Sequence, residues 1–218
     1  MISRRLQLIG SLVPKNKSVA DIGCDHGFLA IWLKNHGHTG KIICSDYRVG
    51  PLENCLRNLL AWGYNDVETI LSDGATMLPP CEVAVIAGMG EATAIHIMSS
   101  SPEFFADCLT IIQVNRNVNV LRRWLMDNGY RIIDERIIRD YKYYEILIVE
   151  KGEMTLSEDE INYGPYLLRE RSETFLMCWQ QKRDKLAGIR DSLAEDHPDR
   201  QRLDEQIREI DRVIGKGK

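Results

Sequence analysis

From residue 18 to residue 150, short apolar runs alternate with stretches in which apolar positions recur every three or four residues. SVADI (18–22), KIICSD (41–46), VETILSD (67–73), EVAVIAG (82–88) and CLTIIQV (108–114) read as strands. The stretches 28–37, 51–63, 91–100 and 117–128 between them read as amphipathic helices, the second with Leu52, Leu56, Leu59 and Leu60 on one face. Strands that are apolar almost throughout are buried on both faces. The pattern therefore predicts an α/β domain: a mostly parallel sheet, covered by helices on each side and joined by right-handed crossovers.

The alternation then breaks. RIIDERIIRD (131–140) and YYEILIVE (143–150) are two strands with only Tyr141-Lys142 between them. No helix fits that gap, so the two must pair as a hairpin and put an antiparallel strand into the sheet. After Gly152 the strands stop. Residues 157–172 suggest one or two short helices, followed by Phe175, Trp179, Leu186, Ile189 and Leu193 at helical spacing, with Lys182 interrupting the seam. His197-Pro198 marks a turn, and Leu203, Ile207, Ile210 and Ile214 repeat at spacings of 4, 3 and 4. These features predict two domains, 1–152 and 153–218, the second an α-helical antiparallel coiled coil. An arm for RNA or for a partner, and an extension packed on the first domain, both stay open as its role.

Composition sets limits on the class of protein. The chain has 218 residues, 44% of them hydrophobic, enough for a cored globular domain with an appendage. No apolar run approaches the roughly 20 residues that span a bilayer, and the first residues lack the features of a secretory signal. The six cysteines stand singly with no C-x-x-C pair. That spacing predicts neither a metal site nor a disulfide framework and fits a reducing cytoplasm. The net charge is −4, with 16 basic against 17 acidic side chains through Gly152 and 12 against 15 beyond it. Contact with nucleic acid must then come from a local patch, for which Arg4, Arg5, Lys15, Lys17, Arg122 and Arg123 are candidates.

The candidate site lies where the strands end. ADIGCDHGFL (20–29) follows the first strand and opens the first helix of the alternating pattern. Gly23 permits a tight turn and Gly27 lets the helix start close to the sheet. Asp25 occupies a place where a phosphate-binding loop keeps glycine, which suits a cation better than a pyrophosphate. Asp46 ends the second strand, where an acid can accept both hydroxyls of a ribose, and Asp73-Gly74 ends the third, where it can accept from an adenine amino group. Gly88-Met89-Gly90 ends the fourth and Asn115 follows the fifth. Three acids at the ends of successive strands, facing a donor that is cationic and lacks pyrophosphate, favour S-adenosylmethionine over a nicotinamide cofactor. A sheet ending in a hairpin agrees with a class I (Rossmann-like) methyltransferase.

Taken together, ADIGCDHGFL, SDYRVGPLENCLRN, LSDG, VIAGMG, the QVN after the fifth strand, WLMDNGYRI, YYEILIVE and YGPYLL resemble the bacterial tRNA (adenine-N1)-methyltransferases that modify adenine 22 of the D-arm. The resemblance implies S-adenosylmethionine as donor, tRNA as acceptor and a C-terminal coiled coil. On that basis Asp21, Gly23, Gly27, Asp46, Asp73, Gly74, Gly88 and Met89 are the cofactor-binding residues. Asp25, His26 and Asn115 are the catalytic candidates, with Arg4, Arg5, Phe28 and Glu91 on the substrate side. Three places depart from the family's pattern: Phe28-Leu29-Ala30 stands for Y-L-P, Glu91 for a glycine and Val114 for a proline. Another RNA base or a protein as acceptor, and a binder of the cofactor without turnover, remain as alternatives. Monomer and homodimer are both open.

Overall fold

The computed structural model describes residues 2–215. The chain divides into two compact units, Met1–Gly164 and Pro165–Lys218. The first runs α1 (Arg4–Leu12), β1 (Val19–Ile22), α2 (Phe28–Asn35), β2 (Ile42–Asp46), α3 (Val49–Ala61), β3 (Glu68–Leu71), β4 (Val83–Met89), α4 (Glu91–Ser100), β5 (Leu109–Val114), α5 (Val118–Asp127), β6 (Tyr130–Arg139), β7 (Tyr143–Lys151) and α6 (Glu158–Tyr163). Its seven strands form one sheet in the order β3-β2-β1-β4-β5-β7-β6. β1 to β5 are parallel, and β7 runs antiparallel to both β5 and β6. Each strand anticipated from the apolar runs is present within two residues at its ends.

The strand order reverses at β1, which has β2 on one side and β4 on the other. Chain connections leave in opposite directions there, opening a crevice at the carboxyl ends of these strands. One face of the sheet, including Val19, Cys44, Val85 and Ile111, packs against Ile9 of α1, Leu29 and Leu33 of α2, and Leu59 of α3. α4 and α5 pack through β4, β5 and β6. The apolar strands thus have helices to cover them, and no helix among the described residues is long and apolar enough to cross a membrane.

Helix α1 has no counterpart in the apolar periodicity, which Gln7 and Gly10 interrupt. Ser3 caps it by accepting from Leu6 N, and Ile9 is fully buried. Gly10 is required by packing, since a Cβ there would lie 2.3 Å from a ring carbon of Trp32. Arg122 overturns its nomination as a nucleic-acid contact. It is fully buried, donating to Glu135 at 2.8 Å, to Glu145 at 2.5 Å and to the carbonyl of Ile161 at 3.2 Å. A guanidinium on an apolar helix face needs such partners, because leaving a charge buried and unpaired costs several kcal/mol. Arg123 meets Glu158 and Lys17 meets Glu82. The bond to Ile161 ties α6 to α5, within a first unit that extends past Gly152 to Gly164.

The second unit holds α7 (Pro165–Glu170), α8 (Glu173–Ser192) and α9 (Asp199–Gly215). Arg183 pairs with Asp211 at 3.1 Å and Arg190 with Asp204 at 3.0 Å, so α8 and α9 run antiparallel. Leu203, Ile207, Ile210 and Val213 are the buried positions of α9, and Phe175 and Cys178 those of α8. Ile189 is displaced from the expected seam and is 42% exposed. Neighbouring Arg190 faces α9 instead, its guanidinium donating to Asp204 at 3.0 Å.

Candidate active site

At the carboxyl ends of β1, β2, β3 and β4 the first unit encloses a crevice of about 620 Å³. Asp21, Gly23, Asp25, His26, Phe28, Asp46, Asp73, Gly74, Gly88 and Met89 all line it. Two elements shape the floor. Gly23 is left-handed (φ 77°), and a Cβ on it would stand 2.9 Å from Met89 Cε, so β1 and β4 close on each other there. Gly27 (φ 69°) opens α2, and a Cβ would strike Cys55 Sγ at 2.6 Å.

The acids differ in their surroundings. Asp21 is buried, and burial followed by the negative charge of neighbouring Cys55 and Asp46 pushes its carboxyl up to about 7. An apolar-walled carboxylate in this state gains from a cationic partner. Asp46 is also buried, and one of its oxygens accepts from the Arg48 backbone N–H at 3.0 Å, leaving the other for a ligand. Asp73 is exposed at the mouth, on a turn closed by Thr76 N–H and Oγ bonds to the Asp73 carbonyl.

Asp25 adopts a left-handed backbone (φ 48°) and turns its carboxylate toward His26 Nε2 at 3.5 Å. The His26 ring also lies 5.4 Å from that of Phe28. Neither His26 nor any other side chain caps α2, whose N-cap is Gly27. These three exposed side chains form one rim of the crevice.

Asn115, Glu91 and Arg4 do not line the cavity. Asn115 donates to the Gly88 carbonyl at 2.6 Å and so joins the ends of β4 and β5. Glu91 accepts from Asn117 Nδ2 at 2.7 Å and approaches Arg116 at 3.8 Å, which turns its carboxylate toward the start of α5. Arg4 is exposed on α1. Arg5 does reach the crevice: its guanidinium donates to Gln113 Oε1 and lies 5.2 Å from the centre of the Tyr144 ring.

In the sequence Gln113 carries no signal beyond its place in QVN. It is fully buried, and its Oε1 also accepts from Gly88 N at 3.1 Å. Gly88 (φ 83°) sits where the β4–β5 register slips between Ala87 and Met89, so Gln113 holds that bulge in place. Tyr47, Arg48, Ser72, Thr93 and His96 also line the crevice without having been anticipated. Only Tyr47 and Arg48, directly after Asp46, had a positional cue.

A sheet with this strand order, a terminal antiparallel pair and acids at the ends of three adjacent parallel strands defines a class I methyltransferase. Solved structures agree. Streptococcus pneumoniae Sp1610, crystallised in complex with S-adenosyl-L-methionine, is 32% identical, with a TM-score of 0.88 over 98% of this chain and 100% of its own. Mycoplasma capricolum TrmK, in complex with S-adenosyl-homocysteine, is 25% identical, with a TM-score of 0.83 over 99% and 98%. A family model described as TrmK, tRNA (adenine(22)-N(1))-methyltransferase, matches residues 19–212. The tRNA (adenine(22)-N(1))-methyltransferase of Bacillus subtilis is 30% identical over 210 residues, 89% of this chain and 86% of that protein. The chain belongs to the tRNA (adenine(22)-N(1))-methyltransferase family.

Proposed function

We propose that the protein methylates N1 of adenine 22 in the D-arm of tRNA, with S-adenosylmethionine as the donor. The observation that carries this reading is the set of three carboxylates, Asp21, Asp46 and Asp73, around one crevice at the switch point of the sheet. The chemistry of the residues fits the donor, whose ammonium and sulfonium are cationic and whose ribose and adenine offer hydroxyl and amino donors.

S-adenosylmethionine supplies an electrophilic methyl carbon; when the adenine N1 lone pair attacks it, the carbon–sulfur bond breaks with its electron pair going to sulfur. Asp46 accepts the ribose hydroxyls, Asp73 the adenine amino group, and Asp21 faces the ammonium. Gly23, Gly74 and Gly88 let the backbone approach, and Met89 packs across Gly23. N1 carries no proton to remove, so orientation is the main contribution of the site. Phe28 offers a face to the acceptor base beside Asp25 and His26. The Asp25 carboxylate stabilises positive charge as it develops on the methylated ring. Asn115 contributes through the Gly88 carbonyl that it holds, and Arg5, which lines the crevice, is a cation available to a tRNA phosphate.

The 1–152 segment with its α6 extension is the methyltransferase domain in this reading. The antiparallel α8–α9 pair is a coiled-coil arm for tRNA, in a cytoplasmic enzyme. Mass spectrometry of nucleosides from tRNA incubated with protein and S-adenosylmethionine should reveal 1-methyladenosine, and a tRNA with guanine at position 22 should give none. Equal methylation of both, or of neither, would overturn the acceptor assignment.

A further inference from the structure

Cys24, Cys44 and Cys55 are far apart in the chain, and their spacing predicts no metal site. The fold assembles them: their Sγ atoms all lie within 4.8 Å of one another. Each comes from a different element. Cys24 sits in the loop after β1, held by its N–H donating to the Ser45 carbonyl at 2.9 Å. Cys44 lies on β2, opposite Asp21 in the parallel register. Cys55 projects from α3 against Gly27, the position where any side chain would collide with its sulfur. All three are buried, at 7%, 0% and 0% exposure.

We propose that these three thiols form a binding site for a thiophilic divalent metal ion of the zinc class, behind the loop that lines the crevice. Metal–sulfur bonds of about 2.3 Å set three tetrahedral thiolates roughly 3.8 Å apart, so closing on an ion requires a contraction of about 1 Å at most. Each sulfur binds as a thiolate, any proton it still carries passing to solvent, and three sulfur–metal bonds form with no electron transferred. Soft sulfur ligands select such ions over magnesium and calcium. Cys24 borders the crevice, which provides a route of entry. The fourth position is left to water. The proposal rests on the geometry of the sulfurs and is independent of the reaction assigned above.

The test uses the full chain, reduced and stripped of metal, titrated with Co²⁺ under anaerobic conditions. One equivalent should bind with a thiolate-to-cobalt charge-transfer band of three-sulfur intensity, and Zn²⁺ should displace it. Cys44→Ala, Cys55→Ala and Cys24→Ser should each weaken binding by about tenfold or more, while Cys108→Ala leaves it unchanged. Should a variant fail to fold by circular dichroism, the unsubstituted protein still decides. Native mass spectrometry should find one Zn²⁺ per chain. Absence of the band in the folded protein, or a band that persists unchanged in a folded Cys55→Ala variant, would overturn the site.

Discussion

Gln113 accepts the backbone N–H of Gly88 at 3.1 Å, and a side chain on β5 thereby determines the path of the backbone on β4. The bond lies under the bulge that carries Gly88 and Met89 into the crevice. Gln113→Leu strands the Gly88 N–H and the Arg5 guanidinium together. Leaving one buried polar group unsatisfied costs roughly 1–3 kcal/mol, so chemical denaturation should show a loss of that order and calorimetry weaker binding of S-adenosylmethionine. Gln113→Glu keeps the acceptor and should retain most of both. Wild-type values in Gln113→Leu would mean that the bulge holds itself.

Asp46→Ala removes a buried acceptor at the end of β2. Each hydrogen bond to a charged group contributes about 1.5–3 kcal/mol, so Kd for S-adenosylmethionine should rise tenfold or more in a folded variant. Because Asp46 also accepts from Arg48 N, the melting temperature must be followed alongside. Unchanged affinity would remove the ribose from this residue.

The Asp25–His26 pair offers a separation of catalysis from binding. Asn tolerates the left-handed backbone of position 25, so Asp25→Asn tests the charge alone. That change and His26→Ala should each lower kcat by roughly a hundredfold, the usual size for loss of one well-placed electrostatic partner. Cofactor affinity should stay within a few-fold. Recovery of full activity at saturating donor would reduce both residues to supports of the loop.

Asp21 predicts a pH dependence of the cofactor-free protein. Its carboxyl titrates near 7 when folded, above the unfolded value of about 4. Between those values the native state holds a proton that the unfolded chain has lost, so stability falls as pH rises across the window, with the full penalty above 7. Asp21→Asn should therefore raise the melting temperature at about pH 8, by the equivalent of a few kcal/mol, and the advantage should vanish toward about pH 4. With S-adenosylmethionine bound, the sign at pH 8 should reverse, because the carboxylate then has its cation. Parallel melting curves at all pH values would show that Asp21 is not the buried acid.

Removing Pro165–Lys218 should leave the S-adenosylmethionine affinity of the first unit within a few-fold, because every residue lining the crevice precedes position 98. Methylation of tRNA should fall by an order of magnitude or more if the helical arm holds the acceptor. Full activity in the folded truncation would dismiss the arm from recognition.

What could be seen in the sequence, and what could not, follows from how far apart the interacting residues stand. Buried parallel strands write themselves as apolar runs, and Asp21, Asp46 and Asp73 could be found because each ends one. Helix α1 escaped because Gly10, a break in the apolar pattern, serves the Trp32 ring, which no local periodicity reveals. Arg122 reads as surface until Glu135 and Glu145 are brought to it by two strands of the hairpin. Gln113 and the three thiols depend likewise on contacts between separate elements. The same limit misplaced Ile189, since apolar spacing overlooks an arginine that faces the partner helix to pair with Asp204.

The two ion pairs between α8 and α9 are separated by seven residues on each helix, Arg183 to Arg190 and Asp211 to Asp204. Slipping one helix past the other by a full heptad would bring Arg183 to Asp204, so this ladder alone tolerates a wrong register. The ends do not. Arg171 donates to the carbonyls of Val213 and Ile214 at 2.6 and 2.7 Å, closing the last turn of α9, and Arg200 donates to the Leu193 carbonyl at 2.7 Å beside the turn. Either bond is lost on any slip. The hairpin is thus a rod gauged at both tips and repetitive between them, and inserting one heptad into each helix should lengthen its reach by about 10 Å while leaving base and tip unchanged.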